Sequence, residues 1–404
     1  MNTFKIPQNL IPRETYIARI APFIRNPIVK VLTGQRRVGK SFLLFQLMQR
    51  ILKDDPKANI IYINMEDLAF EDLKTASDLN KYVLENSTDN KTNYIFIDEI
   101  QEIREFEKAV RSLLLNVNND IYITGSNANL LSGELATLLG GRTIEFNVFS
   151  LSYTEFLVFH QLTDSDESLS KFFKYGGLPY LINLELTDEM VFEYLRNIYT
   201  TIVYRDVVAR YNIRSTNFLE RLIRFLADNI GSLFSAKSIS DYLKSQQTNI
   251  SNNQIQTFTD HLTNAFLIHK VPRFDIVGKR IFEVNEKYYF ENCGIRNCII
   301  GYRPEDQAKI LENVIYNQLL YKGYDVKIGW MDSQEIDFVA TKSNETIYIQ
   351  VALRLDSEKT LEREFGNLLQ IKDNYPKMVV TMDEKFSNTY QGIEHVPIRK
   401  FLMM

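Results

Sequence analysis

The 404-residue chain is poor in cysteine, in net charge of either sign and in long apolar segments. Its two cysteines, Cys293 and Cys298, cannot form a disulfide framework, and the sequence places no histidine cluster near them for a zinc site. With 47 basic and 51 acidic residues the chain is not a polycation, so a nucleic-acid surface would have to be a local patch. No apolar run approaches about 18 residues and the N-terminus lacks a signal-peptide pattern, which predicts a cytoplasmic protein without membrane contact.

The composition itself is average for a globular protein, with 45% hydrophobic and 24% charged residues. Such a composition excludes a disordered, collagen-like or coiled-coil chain. The length predicts two or three domains.

One stretch carries a specific chemistry. A short apolar run at residues 28–33 predicts a buried strand, and it is followed by the pattern G-x-x-x-x-G-K-S and then by a helical run. In this strand–loop–helix context the backbone N–H groups and the positive helix end bind phosphates, the lysine reaches the β- and γ-phosphates, and the serine holds Mg²⁺. The residues that we expect to bind nucleotide are Gly34, Gln35, Arg36, Arg37, Val38, Gly39, Lys40, Ser41 and Phe42.

A second acidic motif follows a predicted strand at residues 93–97, where the chain continues with Asp98 and Glu99. An apolar strand that ends in two carboxylates about 60 residues after a phosphate-binding loop is typical of the Walker B motif. We expect Asp98 to hold the Mg²⁺ and Glu99 to polarise an attacking water. The alternative is a helix N-terminus that collects acids, which does not explain a pair at the end of a strand.

Polar and basic residues further along are weaker candidates. The predicted strand at residues 120–124 runs into Ser126 and Asn127, either of which would orient the lytic water, although a plain polar turn explains them equally well. Between residues 128 and 139 we expect a helix. It is followed by Arg142, a candidate for sensing phosphate or for acting on a neighbouring subunit's nucleotide, with a surface arginine as the alternative.

These motifs resemble a known group of proteins. The stretches GQRRVGKS, YIFIDEIQEI, YITGSNANLLSGELATLLGGR and YGGLPYL are similar to AAA+-type P-loop ATPases common in archaea and Bacteroidetes. The resemblance implies ATP and Mg²⁺ as cofactors, and an ATPase fused to a winged helix and to a domain related to restriction-endonuclease-like nucleases. It also implies that residues 35–37 are the variable positions of the loop and that Arg142 matches the family's "GR" ending.

The expected fold class is therefore α/β, with an AAA+-like core at 1–150, a helical lid at 151–213, a winged helix at 214–303 and a nuclease-like domain of the PD-(D/E)xK type at 304–404. In the lid, Arg205 and Arg210 are candidates for contacting a phosphate, with a solvated helical face as the alternative. In the winged helix, Gln254, Gln256 and Lys279–Arg280 are candidate DNA contacts.

The charge of the predicted winged helix does not favour DNA. Residues 216–291 contain nine lysines and arginines and eight aspartates and glutamates, whereas phosphate contacts supply most of the affinity for DNA. A protein-packing module fits this segment equally well, so both a DNA partner and a protein partner stay open. Both a monomer and an oligomeric ring also stay open.

The nuclease-like segment departs from the pattern that it resembles. Glu312 and Asp337 match the helix and strand acids of the PD-(D/E)xK core, but the next strand offers Gln350 and Ala352 where the pattern has an acid and a lysine. Glutamine carries no charge for Mg²⁺, and Arg354, two residues further on, is not a base. We therefore expect a degenerate nuclease domain retained for binding.

Three functions are consistent with these patterns. The first is an Mg²⁺-dependent ATPase whose hydrolysis drives conformational change of the C-terminal domains. The second is an ATP-gated DNA-processing nuclease, and the third is a DNA-binding regulator whose affinity is tuned by nucleotide. The intact nucleotide-binding motifs favour the first.

Overall fold

The computed structural model describes residues 5–89, 91–128, 137–248, 250–332, 334–384 and 389–404. Residues 1–149 with 264–266 form one compact unit, and residues 150–263 with 267–404 form a second. The helix predicted between residues 128 and 139 lies outside the described residues over 129–136. Among the described residues, no helix combines the length and the apolar character that crossing a membrane requires.

The first unit is built on a five-stranded parallel sheet. β1, β3 and β4 are buried along their whole length, as is usual for parallel strands with both faces covered. The strands are β1 (Val29–Thr33), β2 (Asn59–Asn64), β3 (Asn93–Asp98), β4 (Asn119–Gly125) and β5 (Thr143–Asn147), in the order β2–β3–β4–β1–β5. The helices are α1 (Glu14–Ile20), α2 (Lys40–Asp54), α3 (Ala76–Asn86) and α4 (Phe106–Leu113).

The register of this sheet brings together the carboxyl ends of the strands that precede the predicted site residues. Asn64 on β2 is level with Asp98 on β3, and Thr33 on β1 is level with Gly125 on β4. Because all the strands are parallel, the residues that follow β1, β3 and β4 leave the sheet at the same edge. The P-loop, the acidic pair and the polar turn after β4 therefore meet there.

The second unit begins with a series of helices. They are α5 (Tyr153–His160), α6 (Asp166–Tyr175), α7 (Asp188–Thr201), a π-helix (Ile202–Ala209), α8 (Thr216–Asp228), α9 (Ala236–Ser245) and α10 (Asn252–Asn264). Arg205 lies in the π-helix and Arg210 directly after it, where Arg210 Nη2 is 3.8 Å from Oδ1 of the buried Asp206. The three helices α8 to α10 lie where the sequence predicts those of a winged helix.

The rest of the second unit is organised around an eight-stranded sheet in the order β12–β13–β11–β10–β9–β8–β6–β7. Its strands are β6 (Ile268–Asp275), β7 (Arg280–Phe290), β8 (Asp325–Met331), β9 (Gln334–Lys342), β10 (Glu345–Ala352), β11 (Lys377–Thr381), β12 (Thr389–Tyr390) and β13 (Ile393–Pro397). The helices of this part are α11 (Cys293–Ile300), α12 (Gln307–Tyr321), α13 (Glu358–Leu369) and α14 (Ile398–Met403).

The β6–β7 hairpin lies within the segment predicted as a winged helix, and it belongs to this sheet because β6 pairs in parallel with β8. Successive residues of a strand point to opposite faces, and the two faces of the sheet carry separate apolar cores. Ile349 and Val380 join the cluster that contains Ile310 and Leu311 of α12. Their neighbours Tyr348 and Val379 join the cluster around Phe365 and Leu368 of α13.

Candidate nucleotide-binding site

The loop after β1 has the backbone shape that phosphate binding requires. Gly34 has φ +146° and Gly39 has φ +96°, values that side chains rarely tolerate. A Cβ at Gly34 would also lie 2.1 Å from the carbonyl oxygen of Val148. The two glycines therefore let the loop turn tightly between β1 and α2, with the N-terminal end of α2 at the loop.

The lysine of the loop is buried and held in place. Lys40 Nζ donates hydrogen bonds to the carbonyl oxygens of Gly34 (2.8 Å) and Gln35 (2.9 Å), so the ammonium lies across the mouth of the loop. Of its neighbours, Arg36 and Val38 are buried while Arg37 and Phe42 are exposed. The loop therefore keeps two buried cations, Arg36 and Lys40, and Lys40 is bonded to the loop backbone where phosphates would bind.

Asp98 lies at the end of β3, among hydroxyl groups. The hydroxyl of Thr124 donates to its carboxylate, the hydroxyl of Ser41 favours the ionised form of the same carboxylate, and the hydroxyl of Tyr62 lies 3.4 Å from Oδ2. Burial raises the pKa of Asp98, and the hydroxyls of Ser41 and Thr124 only partly oppose this. A serine hydroxyl and a buried carboxylate are oxygen ligands of the kind that Mg²⁺ prefers.

Glu99 follows directly, in a left-handed conformation with φ +57°. Its carboxylate accepts hydrogen bonds from the side chains of Gln101 and Ser126, the latter at 3.3 Å. Burial opposes ionisation, but the positive charge of Lys40 and the hydrogen bond from Gln101 outweigh it and lower the pKa of Glu99. Glu99 is thus an oriented, ionised base beside the loop lysine.

The turn after β4 and the end of β4 itself both contact the acidic pair. Ser126 donates to Glu99, as described, while Asn127 is buried in the same turn. Thr124, which sequence reasoning did not select, donates its hydroxyl proton to Asp98 and accepts the backbone N–H of Glu99 at 3.0 Å. Thr124 is the last residue of the strand predicted at residues 120–124, and this position at the carboxyl edge of the sheet would have indicated it from the sequence.

The structure does not bring Arg142 to this site. Its carbonyl oxygen accepts from the backbone N–H of Val29, the first residue of β1. The P-loop follows the last residue of β1, so Arg142 lies at the opposite edge of the sheet, about 13 Å away along the strand. Action on a neighbouring subunit's nucleotide stays a prediction for this residue. Arg36 is closer to the acidic pair, and its Nη1 pairs with Oε1 of Glu66 at 3.2 Å.

The residues predicted for the nuclease-like domain also meet, in the second unit. Glu312 on α12 and Asp337 on β9 both contact Lys287 of β7, and Gln350 Oε1 accepts from the backbone N–H of Asp337 at 3.3 Å. Sequence reasoning found Ala352 in place of the pattern's lysine and did not consider Lys287. Across the part of the chain that the structure describes, no group of three or more His, Cys, Asp and Glu side chains is arranged to hold a metal ion.

Comparison with known proteins matches both parts of the chain to family models. A model for an AAA domain matches residues 26–157, and a model for a domain of unknown function, DUF8612, matches residues 166–306. Among solved structures, the ORC1 protein of Aeropyrum pernix in complex with DNA matches with a TM-score of 0.34 and 11% identity, over 73% of this chain and 93% of that chain. The AMPPCP-bound DnaA of Aquifex aeolicus matches with a TM-score of 0.27 and 16% identity, over 56% and 73%.

Two relatives are similar over most of their length. An uncharacterised protein of Haemophilus influenzae is 39% identical over 98% of this chain and 99% of its own. An uncharacterised protein of Methanocaldococcus jannaschii is 30% identical over 91% of this chain and 86% of its own. With this identity over nearly the full length, the protein belongs to the family of these two relatives, and its residues 26–157 match the model of an AAA domain.

Proposed function

We propose that this protein is an Mg²⁺-dependent ATPase. The observation that supports this most strongly is the meeting of Lys40, Ser41, Asp98 and Glu99 at one edge of the parallel sheet, where Lys40 and Ser41 both favour the ionised form of Asp98. These are the groups that phosphoryl transfer to water needs: a cation for the phosphates, oxygen ligands for the metal, and a base.

The residues present fit ATP and Mg²⁺. Gly34 and Gly39 have positive φ values, which give the loop the tight turns of a backbone that would wrap around a phosphate. Lys40 Nζ donates to two carbonyl oxygens of the loop, which holds the ammonium at the loop where it would reach the β- and γ-phosphates. Ser41 Oγ and Asp98 would hold the metal. When bound, Mg²⁺ supplies neutralisation of the charge on the β- and γ-phosphate oxygens.

In the hydrolytic step, Glu99 accepts a proton from the attacking water, because it is ionised and held by Ser126 and Gln101. Lys40 stabilises the charge on the transferred phosphoryl group. Thr124 fixes the relative positions of the two acids because its hydroxyl binds the Asp98 carboxylate and the Glu99 backbone. Asn127 is a further candidate for orienting the water.

The output of hydrolysis is also part of the proposal. We infer that the energy is used to change the conformation of the predicted winged-helix and nuclease-like segments, through which a DNA or protein partner would be reached. Hydrogen exchange of residues 150–404 in the presence of ATP and of ADP tests this, because a difference between the two states is expected. Equal exchange would contradict a conformational output.

The activity is tested by measuring phosphate release from ATP in wild type and in Glu99→Gln, with and without Mg²⁺. Wild type should turn over only with Mg²⁺. Glu99→Gln should lower turnover by at least about 100-fold, because removing a general base costs 10²- to 10⁴-fold, and should bind a fluorescent ATP analogue as wild type does. Lys40→Ala should lose nucleotide binding.

The matched control is Glu102→Gln, which neutralises an exposed acid three residues after Glu99. It should retain wild-type turnover. If Glu99→Gln hydrolyses ATP at the wild-type rate, Glu99 is not the base that activates water. If wild type shows no turnover, the proposed ATPase activity is contradicted.

A further inference from the structure

The most unusual polar cluster of the second unit surrounds Lys287, and it is separate from the nucleotide site. The side chain of Lys287 is 97% buried, since only 3% of it is exposed. Its Nζ lies 2.6 Å from Glu335 Oε1, 2.8 Å from Glu312 Oε1 and 3.6 Å from Asp337 Oδ1. An ammonium group has three protons, and here three carboxylates surround it. We call these four residues the Lys287 cluster.

Two of the three carboxylates, those of Glu312 and Asp337, accept further hydrogen bonds from the protein. The hydroxyl of Tyr289 donates to Glu312 Oε1 at 2.6 Å, and the backbone N–H of Val351 donates to Asp337 Oδ2 at 2.7 Å. Gly231 lies against the other oxygen of Glu312, because a Cβ built there would be 3.0 Å from Oε2. The cluster is therefore lined by β7, β9, β10, α12 and the segment after α8, with Lys287 buried and Glu335 at its more exposed side.

The charges of the cluster favour a protonated lysine. Burial alone would lower the pKa of Lys287, but the carboxylates of Glu312, Asp337 and Glu335 outweigh burial and raise it. For Asp337, burial and the nearby Glu312 raise the pKa. A lysine that holds its proton this firmly is not a general base.

A divalent ion would compete with this ammonium for the same oxygens. Divalent cations bind carboxylate oxygens at about 2.0–2.6 Å, so an ion on Glu312 Oε1 or Glu335 Oε1 would lie within about 5 Å of Nζ. The two positive centres would repel each other in a site with little water. In addition, the oxygens of Glu312 and Asp337 already accept hydrogen bonds from Tyr289 and Val351.

We propose that Lys287 is a built-in cation that replaces a divalent metal in the Lys287 cluster, and that removing its ammonium converts the three carboxylates into a divalent-cation site. The wild-type cluster is then a permanently closed ion-pair network that joins α12 to the sheet. This proposal is independent of the proposed ATPase, and it disfavours a metal-dependent nuclease activity at this position.

The test is Mn²⁺ uptake by the nucleotide-free full chain, measured by paramagnetic resonance of the free ion. Lys287→Met should bind one more Mn²⁺ than wild type. The affinity of that additional ion should be at least 10-fold higher than the affinity of the wild-type cluster for Mn²⁺. Asp337→Asn in the Lys287→Met background should remove that ion. Lys287→Arg, which keeps the charge, should behave as wild type.

The comparison of wild type with Asp337→Asn alone keeps the proposal testable if Lys287→Met does not fold. Equal Mn²⁺ uptake by these two proteins supports a closed cluster. Loss of an ion in Asp337→Asn shows that wild type binds metal there and overturns the proposal, as does a folded Lys287→Met that gains no ion.

Discussion

At the scale of single residues, the candidate site depends on Thr124, a side chain that belongs to neither of the two sequence motifs. Thr124 connects Asp98 and Glu99, since its hydroxyl donates to the Asp98 carboxylate and accepts the Glu99 N–H. We expect Thr124→Val to lower kcat for ATP about 10- to 100-fold with KM changed less than threefold, because the acids are misplaced while the phosphate loop is intact. Steady-state phosphate release measures both parameters.

The control for Thr124→Val is Thr259→Val. Thr259 is equally buried, but its hydroxyl donates to carbonyl oxygens of its own helix, at Ile255 and Gln256. Each substitution should cost about 1–3 kcal/mol of stability, whereas only Thr124→Val should affect kcat, and Thr124→Ser should restore it. Equal kcat values for the two valine variants would show that Thr124 is merely structural.

The sequence predicts the residues that follow from local patterns and misses those that meet through the fold. Lys40, Ser41, Asp98 and Glu99 are found because the loop and the acidic pair are contiguous motifs. Lys287 is missed because it comes from β7, 25 positions before Glu312 in the chain, and reaches the cluster only through strand pairing. A search confined to the strand of Gln350 therefore finds no lysine.

At the scale of elements, an ion pair joins β1 and β4 at the amino end of the sheet. The Lys30 ammonium and the Asp120 carboxylate are in contact and almost fully buried. Lys30 Nζ also donates to the carbonyl oxygen of Asn26 at 2.8 Å, and Asp120 Oδ2 accepts from the hydroxyl of Tyr122 and the N–H of Arg25, each at 2.8 Å. The pair is thus a fully bonded network at the edge remote from the P-loop.

We expect Asp120→Asn to lower the free energy of unfolding by about 3–5 kcal/mol, because it leaves a buried ammonium without its counter-charge. Burial already lowers the pKa of Lys30, and Asp120 is what opposes this. In the variant, the native state therefore loses the Lys30 proton at a lower pH than the unfolded state does. Stability then rises with pH, so the deficit should shrink as the pH is raised towards 10.

Urea unfolding at several pH values measures this. The control is Glu85→Gln, which breaks the exposed pair of Glu85 with Lys81 at 3.9 Å and should cost less than about 0.5 kcal/mol. The double variant Lys30→Met with Asp120→Leu should lose less free energy of unfolding than Asp120→Asn, because it leaves no buried charge without a partner. If Asp120→Asn is as stable as Glu85→Gln, the Lys30–Asp120 pair does not stabilise the protein.

The elements themselves were predictable to different degrees. β1 to β4 follow from apolar runs, and β8 to β10 and α12 from patterns in the last hundred residues. β5 was not predicted, because Thr143–Asn147 is a short segment of mixed polarity. The pairing of β6 with β8 joins strands about 50 residues apart, and no local pattern encodes such a contact.

At the scale of the whole molecule, the charge distribution bears on the partner. The chain has net charge −4, and residues 216–291 of the predicted winged helix contain nine lysines and arginines and eight aspartates and glutamates. A DNA-binding surface gains affinity by releasing counterions from several phosphates. One of the candidate contacts, Arg280, also pairs with Asp275 at 3.3 Å, which reduces its free charge.

We therefore expect ATP turnover at about 150 mM salt to be unchanged by single- or double-stranded DNA. Weak binding at about 20 mM salt should disappear as salt is raised, because only non-specific phosphate contacts would support it. Phosphate release and fluorescence anisotropy of labelled DNA are the measurements, with Lys279→Ala combined with Arg280→Ala as the control. Turnover that rises saturably with DNA in wild type but not in this double variant would contradict the prediction. Such a result would place DNA on the β6–β7 turn. Turnover that does not change with DNA would instead favour a protein partner, because the balanced charge of residues 216–291 suits a surface that packs against protein.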